Sequence, residues 1–200
     1  MGRPRRTNDQ RATFLPIVSR AFSELGYRRT TTSQLAARCG VRENILYRLW
    51  PDKKAMFVAA IDDVFARRAE TWKELLERAE PTDEPAARLI AFEAAHQGEF
   101  GLYRIVFTAL AECDDPDIRA ALTRMYRGFH DLVTEHTGRK SLTNRGSQPG
   151  ITAADGAWGL LGLATISNII RELKLMPARK REAMFTSVAS ALASNIRQDA

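Results

Sequence analysis

Cysteine is scarce in this chain, because its 200 residues contain only Cys39 and Cys113. Neither belongs to a Cys-x-x-Cys pair, so the sequence indicates neither a disulfide framework nor a zinc site. The three histidines, His96, His130 and His136, show no metal-ligand spacing with one another. We therefore expect no metal and no cofactor, and the cysteine usage fits a reducing cytoplasm.

Long hydrophobic runs are also missing. The longest apolar-rich stretch, residues 157–166, is far shorter than the ~20 residues that a membrane-spanning helix needs. The N-terminal sequence MGRPRRTNDQR has arginines but no apolar segment after them, so it does not resemble a secretory signal. We expect a soluble, cytoplasmic protein with no membrane partner.

The chain lacks the common catalytic motifs, namely Gly-x-Ser-x-Gly, a Walker loop, His-Glu-x-x-His and Gly-x-Gly-x-x-Gly. Carboxylates do cluster at Glu112, Asp114, Asp115 and Asp117, with Pro116 among them. Asp and Pro at a helix boundary usually cap or stop helices, which is the role we predict here. We expect that the protein is not an enzyme; a helical enzyme of unknown chemistry is one alternative.

The net positive charge lies in the N-terminal quarter of the chain. Of the formal net charge of +6, residues 1–54 contribute 12 Arg and Lys against 4 Asp and Glu, whereas residues 55–200 hold 18 against 20. A basic first quarter on a near-neutral body indicates a polyanion partner bound by that quarter. Because 44% of the residues are hydrophobic, the body can bury a core.

Apolar residues recur at helical spacing throughout, and no strand-like alternation persists. We predict an all-α protein of about nine helices, with a basic N-terminal region in residues 1–54 and a helical body in residues 55–200. Pro16 lies inside the first helical pattern, near residues 8–25, so this helix is either kinked or regular only from Pro16 onward. The polar stretch 138–150 contains three Gly and one Pro, and predicts a loop.

Two short helical patterns joined by Gly40-Val41 have the arrangement of a helix-turn-helix, so we predict that residues 1–54 form a basic arm and a helix-turn-helix DNA-binding domain. Thr31-x-x-Gln34 matches a capping box at the start of the first, and Gly40 permits the tight turn between them. Leu46 and Leu49 face inward in the second. Arg can pair with guanine, Asn with adenine, Glu with the cytosine amine and Ile with the thymine methyl. The candidates for base contacts are therefore Ser33, Arg42, Glu43, Asn44, Ile45 and Arg48, and those for phosphate contacts are Thr31, Thr32, Tyr47 and Lys53.

The segment TTTSQLAARCGVRENILYRLWPDKKAMF resembles the signature of the TetR family of repressors. The preceding AFSELGYRRT and the arginine-rich arm are also similar, so the resemblance covers roughly residues 10–60. It implies that Thr32, Tyr47 and Lys53 touch phosphates and that the helix from Arg42 to Trp50 enters the major groove. Asn44-Ile45, Trp50 and Pro16 depart from the family's usual residues. Of these, the first is expected to tune the operator sequence.

The GRPRR start resembles an arm that binds the minor groove through arginines, here Arg3, Arg5 and Arg6. A disordered basic tail that attracts phosphates in general is an equal alternative.

For residues beyond about 55, the resemblance implies a domain for ligand binding and dimerisation. A homodimer on a palindromic operator, and repression released by a small-molecule effector, would follow. A nonspecific DNA-binding protein is the second alternative, although it would not need so large a neutral body.

A glycine stripe supports a dimer interface, since each helical Gly costs ~1 kcal/mol against Ala and needs a reason such as close helix packing. The predicted interface comprises Gly156, Gly159, Gly162, Phe185, Val188, Ala189 and Leu192, with packing inside one chain as the alternative. Aromatic and soft side chains on the middle helices predict an apolar ligand pocket. These are Phe92, His96, Phe100, Tyr103, Phe107, Met125, Phe129 and Trp158, each of which has ordinary core packing as its alternative role.

Overall fold

The computed structural model describes residues 3–78, 85–96, 98, 103–137 and 150–196. These ranges contain nine α-helices: α1 (Arg3–Leu25), α2 (Thr32–Arg38), α3 (Glu43–Leu49), α4 (Lys53–Glu77), α5 (Pro85–His96), α6 (Tyr103–Ala111), α7 (Pro116–Thr137), α8 (Ala153–Glu172) and α9 (Ala178–Ser194). Among the described residues, the β-type pairing consists of one isolated parallel bridge between Ile151 and Ile196. The all-α prediction is confirmed.

The helix α3 lies within the predicted range from Arg42 to Trp50, whereas α1 differs from the prediction. This helix begins at Arg3 rather than near residue 8, and it continues through Pro16. A proline removes one backbone donor and crowds the preceding turn. The structure nevertheless has one uninterrupted α-helix on both sides of Pro16. The predicted loop at 138–150 lies outside the described residues, apart from Gly150.

The chain forms two compact units. Unit 1 comprises residues 1–67 and 98–126, and therefore contains α1, α2, α3, α6 and the first parts of α4 and α7. Its core is built around an aromatic group: the Phe57 ring lies 4.9 Å from that of Phe22 and 4.8 Å from that of Tyr27. Phe22 and Phe57 are fully buried. The helices α2 and α3 pack on this core.

Unit 2 comprises residues 68–97 and 127–200, with α5, α8, α9 and the remaining parts of α4 and α7. Here α9 packs against both α8 and α5. One apolar cluster is formed by Trp72, Leu89, Val133 and Ala157, and a second by Ile90, Ala94, Phe185 and Ala189. Within the described residues, no helix combines the length and apolar character needed to cross a membrane. The functional division at residue 54 stays a prediction, because compactness alone assigns no function.

Candidate nucleic-acid interface

The turn between α2 and α3 has the geometry that the sequence predicts. Thr31 Oγ1 accepts a hydrogen bond from Gln34 N at 3.2 Å, and Gln34 Oε1 accepts one from Thr31 N at 2.9 Å. Gly40 follows α2 with φ 65°, where a side chain would be strained although a Cβ would meet no atom within 4 Å. Val41 N then donates to Ala36 O at 3.0 Å. The local sequence thus fixes the connection between the two helices.

The helix α3 has a buried side and an exposed side. Leu46 and Leu49 are 0% and 2% exposed and anchor the helix in the core of unit 1, as predicted. Ile45 is partly buried. The other predicted base-contacting residues of this region are exposed together with Tyr47: Ser33, Arg42, Glu43, Asn44 and Arg48. The structure therefore presents several hydrogen-bonding side chains on one short helix and at the start of its neighbour.

Two of the predicted phosphate-binding residues lie side by side on this surface. Tyr47 Oη donates to Thr32 Oγ1 at 3.2 Å, and Tyr47 is 47% exposed. The pair joins α3 to the first turn of α2. Thr31 has a different role in the structure, because its hydroxyl caps α2. These contacts orient two hydroxyl groups toward solvent at one edge of the α3 surface.

Lys53, the fourth predicted phosphate ligand, makes contacts that the sequence did not indicate. Its Nζ donates to Tyr27 O and to Thr30 O, both at 3.1 Å, and lies 4.5 Å from the centre of the Tyr27 ring. Carbonyls just after a helix end have no partner within the helix. The Lys53 ammonium therefore holds the segment between α1 and α2 in place. Two of its three N–H groups are used in this way.

The acidic segment between α6 and α7 contacts cations of the same unit. Arg28 Nε lies 2.6 Å from Glu112 Oε1, and Lys54 Nζ lies 2.6 Å from Asp117 Oδ2 and 3.3 Å from Asp115 Oδ2. Hydrogen bonds to both aspartates raise the pKa of Lys54. These ion pairs join the α1–α2 segment and the start of α4 to the start of α7. They therefore explain the carboxylate cluster as structural within unit 1.

Asp115 also caps α7, which supports the capping role predicted from the sequence. Its Oδ1 accepts from Asp117 N at 2.9 Å and from Ile118 N at 3.3 Å. Desolvation raises the pKa of Asp115, but these backbone N–H groups and the Lys54 ammonium outweigh it, so the pKa lies below its usual value. Within the described part of the chain, no three His, Cys, Asp or Glu side chains are arranged to hold a metal ion.

A comparison with known protein families identifies the pair of helices α2 and α3. Residues 19–60 match the model of the bacterial regulatory proteins of the tetR family. This segment of the chain is a TetR-type helix-turn-helix. The matched residues run from the second half of α1 to the first turns of α4 and include α2 and α3.

The chain is also similar to known proteins beyond this segment. The nucleoid occlusion factor SlmA of Pasteurella multocida (strain Pm70) is 27% identical over 128 residues, which cover 61% of this chain and 62% of that relative. A TetR-family regulator from Streptomyces coelicolor shares the fold with a TM-score of 0.73 at 17% identity, over 94% of this chain and 96% of the other. The regulator FadR from Bacillus subtilis, in complex with stearoyl-CoA, has a TM-score of 0.68 at 14% identity, over 93% and 99%. At these identities the structures establish the fold.

The side chains of Arg3, Arg5 and Arg6 lie outside the described residues, although their backbone belongs to α1. Phe100, one of the predicted pocket residues, lies outside them as well. The other predicted pocket residues are divided between the units, with Tyr103, Phe107 and Met125 in unit 1 and Phe92, His96, Phe129 and Trp158 in unit 2. In unit 2 the rings of Phe92 and His96 stack at 4.2 Å. The predicted pocket residues therefore do not form one cluster within either unit.

Much of the predicted dimer interface packs inside unit 2. A Cβ at Gly156 would lie 2.6 Å from two carbons of Ile196, and one at Gly159 would lie 3.5 Å from Leu192. Phe185 is only 3% exposed. Intramolecular packing, the alternative stated above, accounts for these residues and for the fully buried Ala189, whereas Gly162 and Val188 are exposed.

Ile166 was not predicted as a site residue, and Trp158 was predicted to line the ligand pocket. They are 45% and 49% exposed. Both lie four residues from Gly162, and this spacing places the three on one face of α8. The spacing was a signal that could have identified this face.

Proposed function

We propose that this protein is a repressor that binds a palindromic operator as a homodimer in the cytoplasm and is released by a small, apolar ligand. The observation that carries the proposal is the surface of α3. Arg42, Asn44 and Arg48 are exposed there, while Leu46 and Leu49 hold the helix from behind. A helix presented in this way fits the major groove, whose base edges offer distinct donors and acceptors.

Phosphate contacts would orient this helix on the duplex. Tyr47 and Thr32 lie 3.2 Å apart at the edge of the α3 surface, where a phosphate oxygen could accept a hydrogen bond from either hydroxyl. Such contacts carry no sequence information, so they would contribute similarly on every DNA. The basic composition of residues 1–54 adds attraction of the same nonspecific kind.

A second copy of the chain is the proposed partner of α8 and α9. Trp158, Gly162 and Ile166 form an exposed apolar face on α8, and Val188 is 42% exposed on α9. A face of this kind is self-complementary when two helices from each copy meet around a twofold axis. The two α3 helices of such a dimer would contact successive major grooves of a palindrome.

Support for an apolar effector comes from unit 2 and from one structural neighbour. Phe92 and Phe129 are partly buried aromatic residues in unit 2, and the neighbour from Bacillus subtilis was solved with stearoyl-CoA, a ligand with a long acyl chain. The helix α4 contributes residues to both units. A ligand that binds one position of α4 better than another would shift the population of DNA-binding dimers.

Selection of a preferred duplex from randomised DNA tests the proposal. Replacing Arg42 or Asn44 by Ala should change which bases are selected, with a loss of about 1–3 kcal/mol on the original site. Tyr47→Phe should weaken binding to all duplexes by about fivefold, since it removes one neutral hydrogen bond. Arg179→Ala, an exposed charge on α9, serves as the control.

If the wild-type protein shows no preference for any selected duplex over random DNA at moderate salt, the nonspecific alternative is correct. If Tyr47→Phe combined with Thr32→Ala binds like the wild type, the placement of the phosphate contacts is wrong.

A further inference from the structure

We propose that Arg11 is a positioning residue for sequence recognition: it holds the C-terminal end of α3 against α1 without contacting DNA itself. The proposal rests on the function proposed above, in which α3 contacts base edges. It concerns a residue that the sequence analysis did not select and that lies outside the family-matched residues 19–60.

The Arg11 guanidinium makes two contacts at the end of α3. It donates a hydrogen bond from Nη2 to Leu49 O. Its central carbon also lies 5.9 Å from the centre of the Trp50 ring. Leu49 is the last residue of α3, so its carbonyl has no acceptor role within the helix. A cation at this position also interacts favourably with the negative end of the helix dipole.

The helix α3 depends on such external contacts because it is short. It has seven residues, and Arg42 at its N-cap makes no side-chain cap hydrogen bond. Isolated helices of this length are not stable in water. Leu46 and Leu49 fix the inward side of α3, and Trp50, which is 4% exposed, closes its end. Arg11 connects that end to α1, and therefore limits how far α3 can tilt or slide against the core.

A small displacement of α3 would affect base contacts more than phosphate contacts. Bidentate hydrogen bonds to bases require defined distances and angles, whereas attraction to phosphates depends mainly on charge. Loss of a positioning residue should therefore lower the ratio of specific to nonspecific affinity. Loss of a phosphate contact should instead reduce the salt dependence of binding, by about 0.9 in the slope of log K against log salt concentration.

The test compares Arg11→Ala and Arg11→Gln with the wild type on a selected operator and on a scrambled duplex of equal length. Binding is measured by fluorescence anisotropy at several salt concentrations. Arg11→Ala should lose about five- to tenfold in affinity for the operator, the scale of one base contact. Its affinity for the scrambled duplex and its salt slope should stay within error. Arg11→Gln retains an N–H donor for Leu49 O and should recover part of the discrimination.

Arg20→Ala, which removes another exposed cation from α1, is the matched control and should leave the specificity ratio unchanged. An unchanged ratio in Arg11→Ala, or a salt slope reduced equally on both duplexes, overturns the inference. Loss of cooperative unfolding in both Arg11 variants overturns it too, because Arg11 would then act on stability. If the wild type itself does not discriminate between the duplexes, the proposed function fails instead.

Discussion

The two units of the chain differ in how they bury their side chains. The largest fully buried side chains of the described residues all belong to unit 1: Phe22, Phe57, Leu35, Leu46, Leu49, Met56, Ile61, Ile105, Ile118, Val18, Thr30 and Ser19. In unit 2 the large core side chains keep some exposure, such as 7% for Trp72 and Leu89 and 8% for Ile90. The large core side chains of unit 1 are therefore more completely buried than those of unit 2.

The two units also differ in the polarity of their surfaces. Ion pairs between distant parts of the sequence cover unit 1, for example Arg28–Glu112 and Arg124–Asp62. Unit 2 leaves more large apolar side chains exposed, namely Trp158, Ile166, Leu173, Leu175 and Val188, against Tyr47 and Leu110 in the described part of unit 1. Extended exposed apolar surface usually marks an interaction site. Among the described residues, unit 2 therefore has the more apolar surface, which is the reason for placing the proposed dimer interface there.

Removing a core aromatic side chain from unit 1 should give the largest effect. Phe57→Ala deletes a ring in contact with Phe22 and Tyr27, and should lower the free energy of unfolding by about 3–5 kcal/mol. Phe185→Ala makes the same change in unit 2, where the ring is 3% exposed. We expect a smaller loss there, because the less closed site can relax. Urea unfolding followed by circular dichroism measures both, and equal losses would contradict the comparison.

A charge on the exposed face of α8 and α9 should separate the proposed dimer. Trp158→Glu combined with Val188→Glu would place carboxylates on this face, so that the protein sediments as a monomer at micromolar concentration. Burying an unpaired charge in the interface costs more than the lost apolar contact. Leu110→Glu in unit 1, at a site that is 45% exposed, is the matched control and should not change the sedimentation. A dimer that persists in the double variant would place the interface elsewhere.

The sequence predicted those structural features that depend on residues close together in the chain. Thr31, Gly40 and the inward Leu46 follow from capping, turn geometry and helical period, all of which act over a few residues. The contacts of Lys53 with the carbonyls of Tyr27 and Thr30 could not be predicted in this way, because they join residues more than twenty positions apart. The same limit explains the Arg28–Glu112 and Arg11–Leu49 contacts.

The small residues of α8 and α9 show a different limit. The spacing of Gly156 and Gly159 indicates close packing by another segment, but spacing cannot tell whether that segment belongs to the same chain. In the structure Ile196 and Leu192 of that chain fill these positions. The exposure of the Trp158 side chain, which is known only from the three-dimensional structure, distinguishes the two faces of α8.

The smallest expected effect concerns the ion pairs that distinguish the surface of unit 1. Asp115→Asn keeps a capping side chain at the start of α7 but removes the charge opposite Lys54. Because folding lowers the pKa of Asp115, its ionised form favours the folded state. That contribution is present above the pKa of the unfolded chain, about 3.9, and is lost as the pH falls through the lower folded value. The melting temperature of the wild type should therefore slightly exceed that of Asp115→Asn at pH 7, and the difference should shrink as the pH falls below the pKa of the unfolded chain and vanish below that of the folded state.

Salt should reduce the same difference at pH 7, since Lys54 and Asp115 are partly exposed. Asp114→Asn, one residue earlier, is the control, because the interaction shown by the structure at that position is through its backbone carbonyl to Arg119. A difference between Asp115→Asn and the wild type that does not shrink as the pH is lowered, or that is matched by Asp114→Asn, would mean that the charge of Asp115 does not stabilise the junction. The ion pairs on the surface of unit 1 would then not stabilise it. The two units would differ only in how completely their cores are buried.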